Sequence, residues 1–353
     1  MIPILQAWYP YPQEVGILRK SLAFALAIAI TVATVSYTVF AQPRSRVDVV
    51  RARGKLICGV SGATPGFSYP DPSSGRMVGF DAEFCYAVAA FLDVPEVEFV
   101  NLTSANRIPN VMSGAVDVVF RTTTQTLTRD DQVDFGPVTF YDGQRLLVRT
   151  GSRIRGLDDL NGARICVHAG TTSERNISDQ LRQRNLRFQL ITFQEAKQAF
   201  DGMAAGRCDV MTTDASQLTA FRSTATNPND FQVVGREFSD EPLAPIYQEN
   251  DSKWADVINY TIWGMILAEE LGITSASARN PSRLAEIIGR DPIAKGLIEL
   301  KGGAIARVLR LVGNYGEVYD RYFGPRSRTA ITRDNTRNDL ARSGGAMSSR
   351  PFR

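Results

Sequence analysis

Two polar segments in this sequence have the residue types and positions expected of a binding site. Each follows a Gly-x-x-Asp turn and a short apolar run; the segments are Arg121-Thr122-Thr123-Thr124 and Thr212-Thr213-Asp214. Ligands of open α/β sheets bind outside the carboxyl ends of the strands. The repeated pattern therefore favours a polar site shared by two similar α/β units, although Gly-x-x-Asp is also a common helix-to-strand turn.

A third candidate segment is Gly170-Thr171-Thr172, which precedes a predicted helix. Free N–H groups at a helix N-terminus attract anionic ligand atoms, but the segment is also a plausible simple helix entry. His168 is the single histidine of the chain, which nearly excludes a structural zinc site or a centre built from several histidines. We predict neither a metal site nor a cofactor. A structural role is favoured for His168, with a pH-sensitive contact as the alternative.

The composition favours folded domains without a nucleic-acid partner. The chain has 353 residues, of which 44% are hydrophobic and 22% charged, which is typical of about two packed domains. Its net charge of +3 is unevenly distributed, because residues 326–353 hold seven Arg and two Asp. The basic excess therefore belongs to this end of the chain. Residues 326–353 also lack periodicity and are predicted to be a disordered basic tail.

The N-terminal segment predicts export. Residues 21–40 form an uncharged apolar run that follows Arg19-Lys20. An export signal ending at Ala41 is favoured, an uncleaved membrane anchor is the main alternative, and a buried core helix is the third. Both of the first two interpretations place the rest of the chain outside the cytoplasmic membrane, in the periplasm.

Four cysteines fit such a compartment. They are Cys58, Cys85, Cys166 and Cys208, and four cysteines allow three pairings. If the chain forms two separate lobes, only Cys58–Cys85 and Cys166–Cys208 keep each bridge within one lobe. Four buried free thiols are the alternative.

The intervening sequence alternates strand and helix patterns, which indicates α/β sheets with helices on their faces. The predicted strands are 55–60, 96–100, 116–120, 145–148, 164–167, 188–193 and 210–213. The predicted helices are 81–92, 173–184, 194–205, 253–271 and 304–322.

An ordered set of motifs carries a family resemblance. The motifs include Gly79-Phe80-Asp81-Ala82-Glu83-Phe84, Arg121-Thr122-Thr123-Thr124 with Arg129 downstream, Phe140-Tyr141-Asp142-Gly143-Gln144, Gly170-Thr171-Thr172, Thr212-Thr213-Asp214 and Gly313-Asn314-Tyr315-Gly316-Glu317. Over residues 47–325 the chain resembles family 3 solute-binding proteins of polar amino acid ABC transporters, especially the general L-amino-acid-binding branch.

The resemblance implies an α/β fold of the type II periplasmic-binding-protein class, with two lobes, two hinge crossovers and a ligand cleft between the lobes. We expect residues 1–41 to be the signal or anchor. Lobe 1 is then 47–147 plus 237–325, lobe 2 is 148–236, and 326–353 is the tail.

The resemblance also implies roles for individual residues. Arg129 matches the arginine that binds the ligand carboxylate, a group that a guanidinium can bind bidentately. Thr122 and Thr124 match hydroxyl and amide contacts, and Thr172 is a carboxylate contact from lobe 2. Asp214 matches the aspartate that binds the ligand ammonium. The alternatives are a solvated loop arginine at Arg129 and a helix N-cap at Asp214.

Several positions depart from the family pattern. Thr64 stands where an aromatic residue is frequent, Gln125 stands where relatives have Trp, and Phe67 is expected to pack into its lobe. Arg121 adds positive charge near the expected pocket, with Arg107 and Arg145 as further candidates. A solvated position is favoured for Arg107. Extra arginines would favour a ligand with an acidic or amide side chain.

The function implied is a binding protein and not an enzyme. It would capture a polar L-amino acid outside the membrane and deliver it, as a monomer, to an inner-membrane ABC permease. One alternative is an enzyme resembling cyclohexadienyl dehydratase, with Glu174 as the nearest candidate acid. The other is a membrane-tethered amino-acid sensor.

Overall fold

The computed structural model describes residues 44–350, which form two five-stranded sheets, two small ribbons and twelve α-helices. The strands are β1 (Lys55–Val60), β2 (Tyr69–Pro70), β3 (Met77–Val78), β4 (Glu96–Asn101), β5 (Val118–Val119), β6 (Asp134–Phe135), β7 (Phe140–Asp142), β8 (Gln144–Arg149), β9 (Ala163–His168), β10 (Phe188–Phe193), β11 (Val210–Asp214), β12 (Phe231–Val234), β13 (Glu241–Leu243) and β14 (Ile246–Tyr247). The helices are α1 (Arg46–Arg53), α2 (Phe80–Leu92), α3 (Arg107–Met112), α4 (Leu127–Asp130), α5 (Thr172–Gln183), α6 (Ala196–Ala204), α7 (Ala215–Thr224), α8 (Ser252–Glu270), α9 (Ser275–Arg279), α10 (Pro281–Arg290), α11 (Pro292–Leu311, interrupted by non-helical backbone at residues 300–303) and α12 (Tyr315–Tyr322).

The first sheet has the strand order β4-β1-β5-β14-β6. Strands β4, β1 and β5 run parallel, whereas β14 is antiparallel to both of its neighbours. The larger of the two apolar clusters beside this sheet packs α2 against α8, α11 and α12, and it includes the aromatic side chains of Phe67, Phe80 and Phe140. The prediction that Phe67 packs into its lobe is confirmed.

The second sheet repeats this design with the order β10-β9-β11-β8-β12. Strands β10, β9 and β11 are parallel, and β8 runs antiparallel to β11 and β12. Separate apolar clusters cover its two faces, one around Phe200 and Phe221 and the other around Ile165 and Ile177. The predicted two-lobed α/β architecture is thereby confirmed, with one sheet in each lobe.

A short antiparallel ribbon of β7 and β13 links the two lobes. The chain leaves the first sheet after β6, passes through β7 and enters the second sheet at β8; it returns from β12 through β13 to β14. The paired residues are Glu241 with Asp142, Pro242 with Tyr141 and Leu243 with Phe140. We call these two strands the hinge ribbon.

Two boundaries differ from those predicted. Strand β8 begins at Gln144 and belongs to the second sheet, so the first crossover precedes Gln144 and does not fall at 147/148. The helix predicted at 304–322 is divided, because Gly313 has φ of +102° and Asn314 accepts a hydrogen bond from the N–H of Glu317 to begin α12. A left-handed glycine followed by an N-cap ends one helix and starts the next.

The predicted disordered tail is instead packed through residue 350. Leu340 and Met347 are buried in the first-lobe core, and Arg333 pairs with Glu269. Asn338 hydrogen-bonds both backbone groups of Tyr141, at 2.7 and 2.8 Å. The prediction from composition was wrong here because a few apolar anchors and specific polar pairs order a segment that has no regular periodicity.

The structure contains two disulfides, Cys58–Cys85 and Cys166–Cys208, and each lies within one lobe. The sequence had left this arrangement as one of three. The signal or anchor predicted at 1–41 lies outside the described residues. Among residues 44–350, no helix combines the length and apolar character needed to cross a bilayer.

Candidate functional site

A polar cavity lies where the carboxyl ends of β5 and β11 face each other. It is partly open to solvent. All of its lining residues are polar or charged: Ser104, Arg107, Arg121, Thr122, Thr124, His168, Thr171, Thr172, Ser173, Thr213, Asp214 and Gln217. Residues of both lobes contribute, so this cavity is the cleft that the two-lobed fold predicts. A lining made only of polar and charged residues suits a small polar ligand.

One part of the cavity is basic, and we call Ser104, Arg107, Arg121 and His168 the basic end. Arg121 is buried and donates to the Leu102 carbonyl and, at 2.7 Å, to Ser104 Oγ. It also lies 3.6 Å from Glu195 of the second lobe. Burial lowers the pKa of Arg121 to about 10, so its guanidinium remains charged at neutral pH.

Arg107 was expected to be solvated, but it is only 2% exposed. Its Nη1 donates to the Arg121 carbonyl at 3.0 Å, while its Nε has no partner among the described residues. The expectation was wrong because α3 is short and turns this side chain into the cleft. A buried guanidinium N–H without a partner is energetically costly.

His168 completes the basic end at the last residue of β9. Burial, together with the charges of Arg121 and Arg107, lowers the pKa of His168 to about 3, so its imidazole is neutral. Its Nε2 is also buried without a hydrogen-bond partner in the described part of the chain. The basic end therefore contains two buried polar atoms without a hydrogen-bond partner among the described residues.

Thr122 is held in an unusual conformation beside this end. Its φ is +40°, a left-handed value that costs energy for a β-branched residue. The N–H of Thr122 donates to Asp81 Oδ2 at 3.1 Å, and burial raises the pKa of Asp81 to about 7. The backbone N–H of Thr122 is thus bound to Asp81, and Thr122 is among the residues that line the cavity.

The site also has an acidic group of residues, and we call Asp142, Asp214 and Glu241 the acidic end; of these, Asp214 lines the cavity. Asp214 ends β11 and lines the cavity; it serves as the N-cap residue of α7, but its carboxylate accepts from Gln217 Nε2 at 2.6 Å and not from the helix backbone. Burial raises the pKa of Asp214 well above its ordinary value, and the nearby Asp142 and Glu241 raise it further. A cation placed here would relieve this excess of negative charge.

Asp142 lies on the hinge ribbon directly opposite Glu241. It accepts hydrogen bonds from the N–H of Gly143, at 2.9 Å, and from the N–H and hydroxyl of Ser216. Burial raises the pKa of Asp142 to about 7. Like charges opposite each other on paired strands are unfavourable, so the ribbon concentrates acidity at this end.

Arg129 is brought close to the cavity but is not part of its lining. It is half-buried at α4, and its Nη1 donates to the Thr124 carbonyl at 2.7 Å. Burial lowers the pKa of Arg129, and the carboxylates of Glu241 and Asp214 oppose that effect. The structure thus places the predicted carboxylate-binding arginine next to Thr124, within the electrostatic reach of the acidic end.

The Gly170-Thr171-Thr172 segment forms the N-terminus of α5. Thr171 Oγ1 accepts from the N–H of Glu174, and the Glu174 carboxylate accepts from the N–H of Gly170 at 2.9 Å. Gly170 has φ of +73°, and a Cβ there would lie 3.3 Å from the backbone of Ala105 in the first lobe. Glycine therefore permits the two lobes to approach closely beside the cavity.

Residues 56–275 match the bacterial extracellular solute-binding proteins, family 3. The chain belongs to this family. The two sheets, the hinge ribbon and the polar cavity are thus the lobes, hinge and cleft of a solute-binding protein.

Individual relatives cover nearly the whole solute-binding protein. It is 36% identical over 340 residues to the general L-amino acid-binding periplasmic protein AapJ of Rhizobium johnstonii, covering 93% of this chain and 98% of AapJ. It is 34% identical over 347 residues to the glutamate/glutamine/aspartate/asparagine-binding protein BztA of Rhodobacter capsulatus, covering 95% and 100%. A periplasmic binding protein from Brucella ovis, solved with glutathione bound, has a TM-score of 0.79 and 33% identity, and the match covers 88% and 100% of the two chains.

Sequence reasoning about this solute-binding protein located part of the cleft. Of its candidates, Arg121, Thr122, Thr124, Thr172 and Asp214 line the cavity. Two other positions considered in the sequence do not line the cavity. Arg145 donates to the Gly235 carbonyl, and the hydroxyl of Thr64 is hydrogen-bonded to that of Ser61. Gln125 is exposed.

Glu241 is the most informative residue that sequence reasoning missed. It is 1% exposed and accepts hydrogen bonds from four side chains. The sequence signal for Glu241 is weak. Glu241 and the apolar Leu243 occupy alternate positions of one short strand, and both are buried. A charged residue at an inward strand position is a reason to look for partners.

Proposed function

We propose that this solute-binding protein captures a polar L-amino acid in the periplasm and delivers it to an ABC permease in the inner membrane. It acts as a monomer and catalyses no reaction. AapJ is named as a general L-amino acid-binding protein and BztA as a binder of acidic and amide amino acids, and both are similar along nearly their whole length. These relatives support the ligand class.

The observation that carries the proposal is the presence of opposite charges at one polar cavity, with Asp214 in its lining and Arg129 beside it. A free amino acid presents a carboxylate and an ammonium a few ångströms apart. Arg129, beside Thr124, supplies a guanidinium for the carboxylate, while Asp214 supplies a buried carboxylate for the ammonium. A buried acid with a raised pKa is stabilised in its charged form when a cation binds.

The basic end supports an acidic or amide side chain on the ligand. Arg107 Nε is a donor without a partner, and His168 Nε2 is a second unsatisfied polar atom. A carboxylate accepts from the arginine, and an amide can both accept and donate. A purely apolar side chain would leave both atoms unsatisfied.

Lobe closure follows from where these groups lie. We propose that residues before the hinge ribbon and after β13 form lobe 1, and that residues 143–240 form lobe 2. Arg129 then belongs to lobe 1 and Asp214 to lobe 2. A ligand that contacts both stabilises the closed state, which is hinge closure around a ligand.

The enzyme alternative has less support from the site. Glu174, its candidate acid, uses its carboxylate to bind the N–H of Gly170 and so completes the α5 N-terminus. This is the role of a capping residue in the first turn of a helix.

A ligand panel tests the proposal. Purified protein, with residues 326–350 retained, is titrated with L-amino acids by thermal shift and calorimetry. We expect acidic or amide amino acids to stabilise it, and we expect Arg129→Ala and Asp214→Ala each to lower affinity about 100-fold, since removing one partner of a buried charge pair costs 2–5 kcal/mol or more. Asp201→Ala, at an exposed position of lobe 2, is the matched control. No response to any L-amino acid, or turnover of a prephenate-like substrate, would contradict the proposal.

A further inference from the structure

Glu241 connects the hinge ribbon to both lobes through its buried carboxylate. Its Oε2 accepts from Thr124 Oγ1 at 2.6 Å and from Thr172 Oγ1 at 2.8 Å. Its Oε1 accepts from Asn176 Nδ2 at 2.8 Å and from Ser239 Oγ at 2.6 Å. Thr124 belongs to the first lobe, and Thr172 begins α5 in the second.

The direction of these hydrogen bonds is set by chemistry. An ionised carboxylate has acceptor lone pairs and no donor, whereas a hydroxyl has one donor hydrogen and two lone pairs. Thr124 and Thr172 must therefore both direct their hydroxyl hydrogen to Glu241. What remains on each oxygen is acceptor capacity, and both residues line the cavity.

A ligand thus meets two acceptors at this point. The two hydroxyl oxygens lie 3.3 Å apart, close enough to bind the same donor group. The two hydroxyls themselves offer a ligand carboxylate no donor hydrogen, because both hydrogens are already used. An ammonium, which has three donors and no acceptor, is the complementary group.

The neighbouring charges favour the same assignment. Asp214 lines the same cavity and lies close enough to Glu241 for their negative charges to interact. A ligand ammonium between Asp214 and the two hydroxyl oxygens would be surrounded by acceptors. This differs from the role in carboxylate binding that the family resemblance implied for Thr172.

We propose that Glu241 is a positioning residue of the ligand site: it orients the hydroxyls of Thr124 and Thr172 as acceptors for the ligand's α-ammonium. It thereby selects amino acids over analogues that lack this group. The inference rests on the proposed function, since it assigns one end of the same ligand.

The test compares two probes, L-glutamate and (S)-2-hydroxyglutarate, which differ in having an ammonium or a hydroxyl at the α-carbon. The readout is the ratio of their dissociation constants, measured by calorimetry. Glu241→Gln and Glu241→Ala should reduce the preference for L-glutamate about 10- to 100-fold, the range expected when a hydrogen bond to a charged group is lost. Glu237→Gln removes an exposed carboxylate from the same connection and should leave the ratio unchanged.

A second variant protects the test against misfolding and separates orientation from charge. Thr172→Val retains the charge of Glu241 but removes one of the two acceptors, and it too should reduce the preference for L-glutamate. If every variant weakens both probes equally, Glu241 is only a structural contact and the inference is wrong, while the proposed function stands. If Thr172→Val leaves the ratio unchanged, orientation of the hydroxyls is likewise refuted. If the wild-type protein binds neither these probes nor any other L-amino acid, the proposed function itself fails.

Discussion

The two ends of the cleft differ in how completely their polar atoms are paired. At the acidic end, Glu241 accepts four hydrogen bonds, and Asp142 and Asp214 are each hydrogen-bonded within the protein. At the basic end, Arg107 Nε and His168 Nε2 are buried without partners in the described chain. The carboxylates of the acidic end thus have hydrogen-bond partners without a ligand, whereas two polar atoms of the basic end do not.

This difference suggests that the two ends have different roles in ligand binding. A fully bonded cluster is rigid and presents a fixed arrangement of acceptors, which suits the α-ammonium that all amino acids share. Unsatisfied buried atoms penalise any ligand that cannot pair with them, which makes them effective in discriminating between side chains. The acidic end should therefore govern whether an amino acid binds, and the basic end should govern which one.

Arg107→Met is the change expected to break this separation of roles most strongly. It keeps much of the side-chain volume and removes the unsatisfied donor. We expect affinity for L-glutamate or L-glutamine to fall about 10- to 100-fold, because a hydrogen bond to a charged group is worth 1.5–3 kcal/mol. Affinity for L-alanine, whose methyl side chain is too short to reach this end, should change by less than about threefold in calorimetric titrations.

Arg182→Met is the matched control, since Arg182 is an exposed arginine on α5. It should alter neither affinity. An Arg107→Met protein that loses L-alanine and L-glutamate to the same extent would show that the basic end supports binding in general and does not select the side chain.

The sequence predicted some residues of the site and missed others, and the reason is physical. Asp214 and Thr124 follow apolar strand runs, and the carboxyl end of a strand is visible in the pattern of residues. Glu241 lies on a three-residue strand that pairs with β7, from a segment far away in the chain. Its environment is created by tertiary pairing, so no local pattern in the sequence reports it.

The same limit explains the errors elsewhere. The alternation of strands and helices predicted both sheets, because burial on a sheet repeats along the chain. Arg107 appeared exposed because a six-residue helix carries too little periodicity to orient one side chain. The C-terminal segment appeared disordered because its order depends on Leu340, Met347 and Asn338 meeting surfaces built by other parts of the chain.

The two ends should contribute with opposite sign to the pH dependence of the free energy of unfolding. Burial raises the pKa of Asp142 to about 7 and that of Asp214 well above its ordinary value, so the folded ligand-free protein holds protons that the unfolded chain releases. The acidic end should therefore lose stability as pH rises from about 4 through about 7. His168 acts in the opposite sense, since a pKa lowered from 6.5 to about 3 costs stability as pH falls below 6.5.

Thermal melts between about pH 5 and about pH 8 measure both contributions. Asp142→Asn should flatten the decline of stability toward high pH, and His168→Gln should steepen it. Asp201→Asn, an exposed carboxylate, should leave the slope as in the wild type. Identical slopes in all four proteins would refute the assignment of buried, shifted groups to the two ends.

The smallest effect is expected from Asn338→Ala, which acts on the acidic end indirectly, through the backbone of the hinge ribbon. Asn338 hydrogen-bonds both backbone groups of Tyr141, the residue before Asp142 on the hinge ribbon. Loss of two such bonds should lower the free energy of unfolding by about 1–2 kcal/mol and the melting temperature by a few degrees. The ratio of affinities for L-glutamate and L-alanine should be unchanged, because no group of the basic end moves. Thr332→Ala, at an exposed position of the same segment, is the control; an Asn338→Ala protein as stable as this control would show that the C-terminal segment does not brace the hinge ribbon.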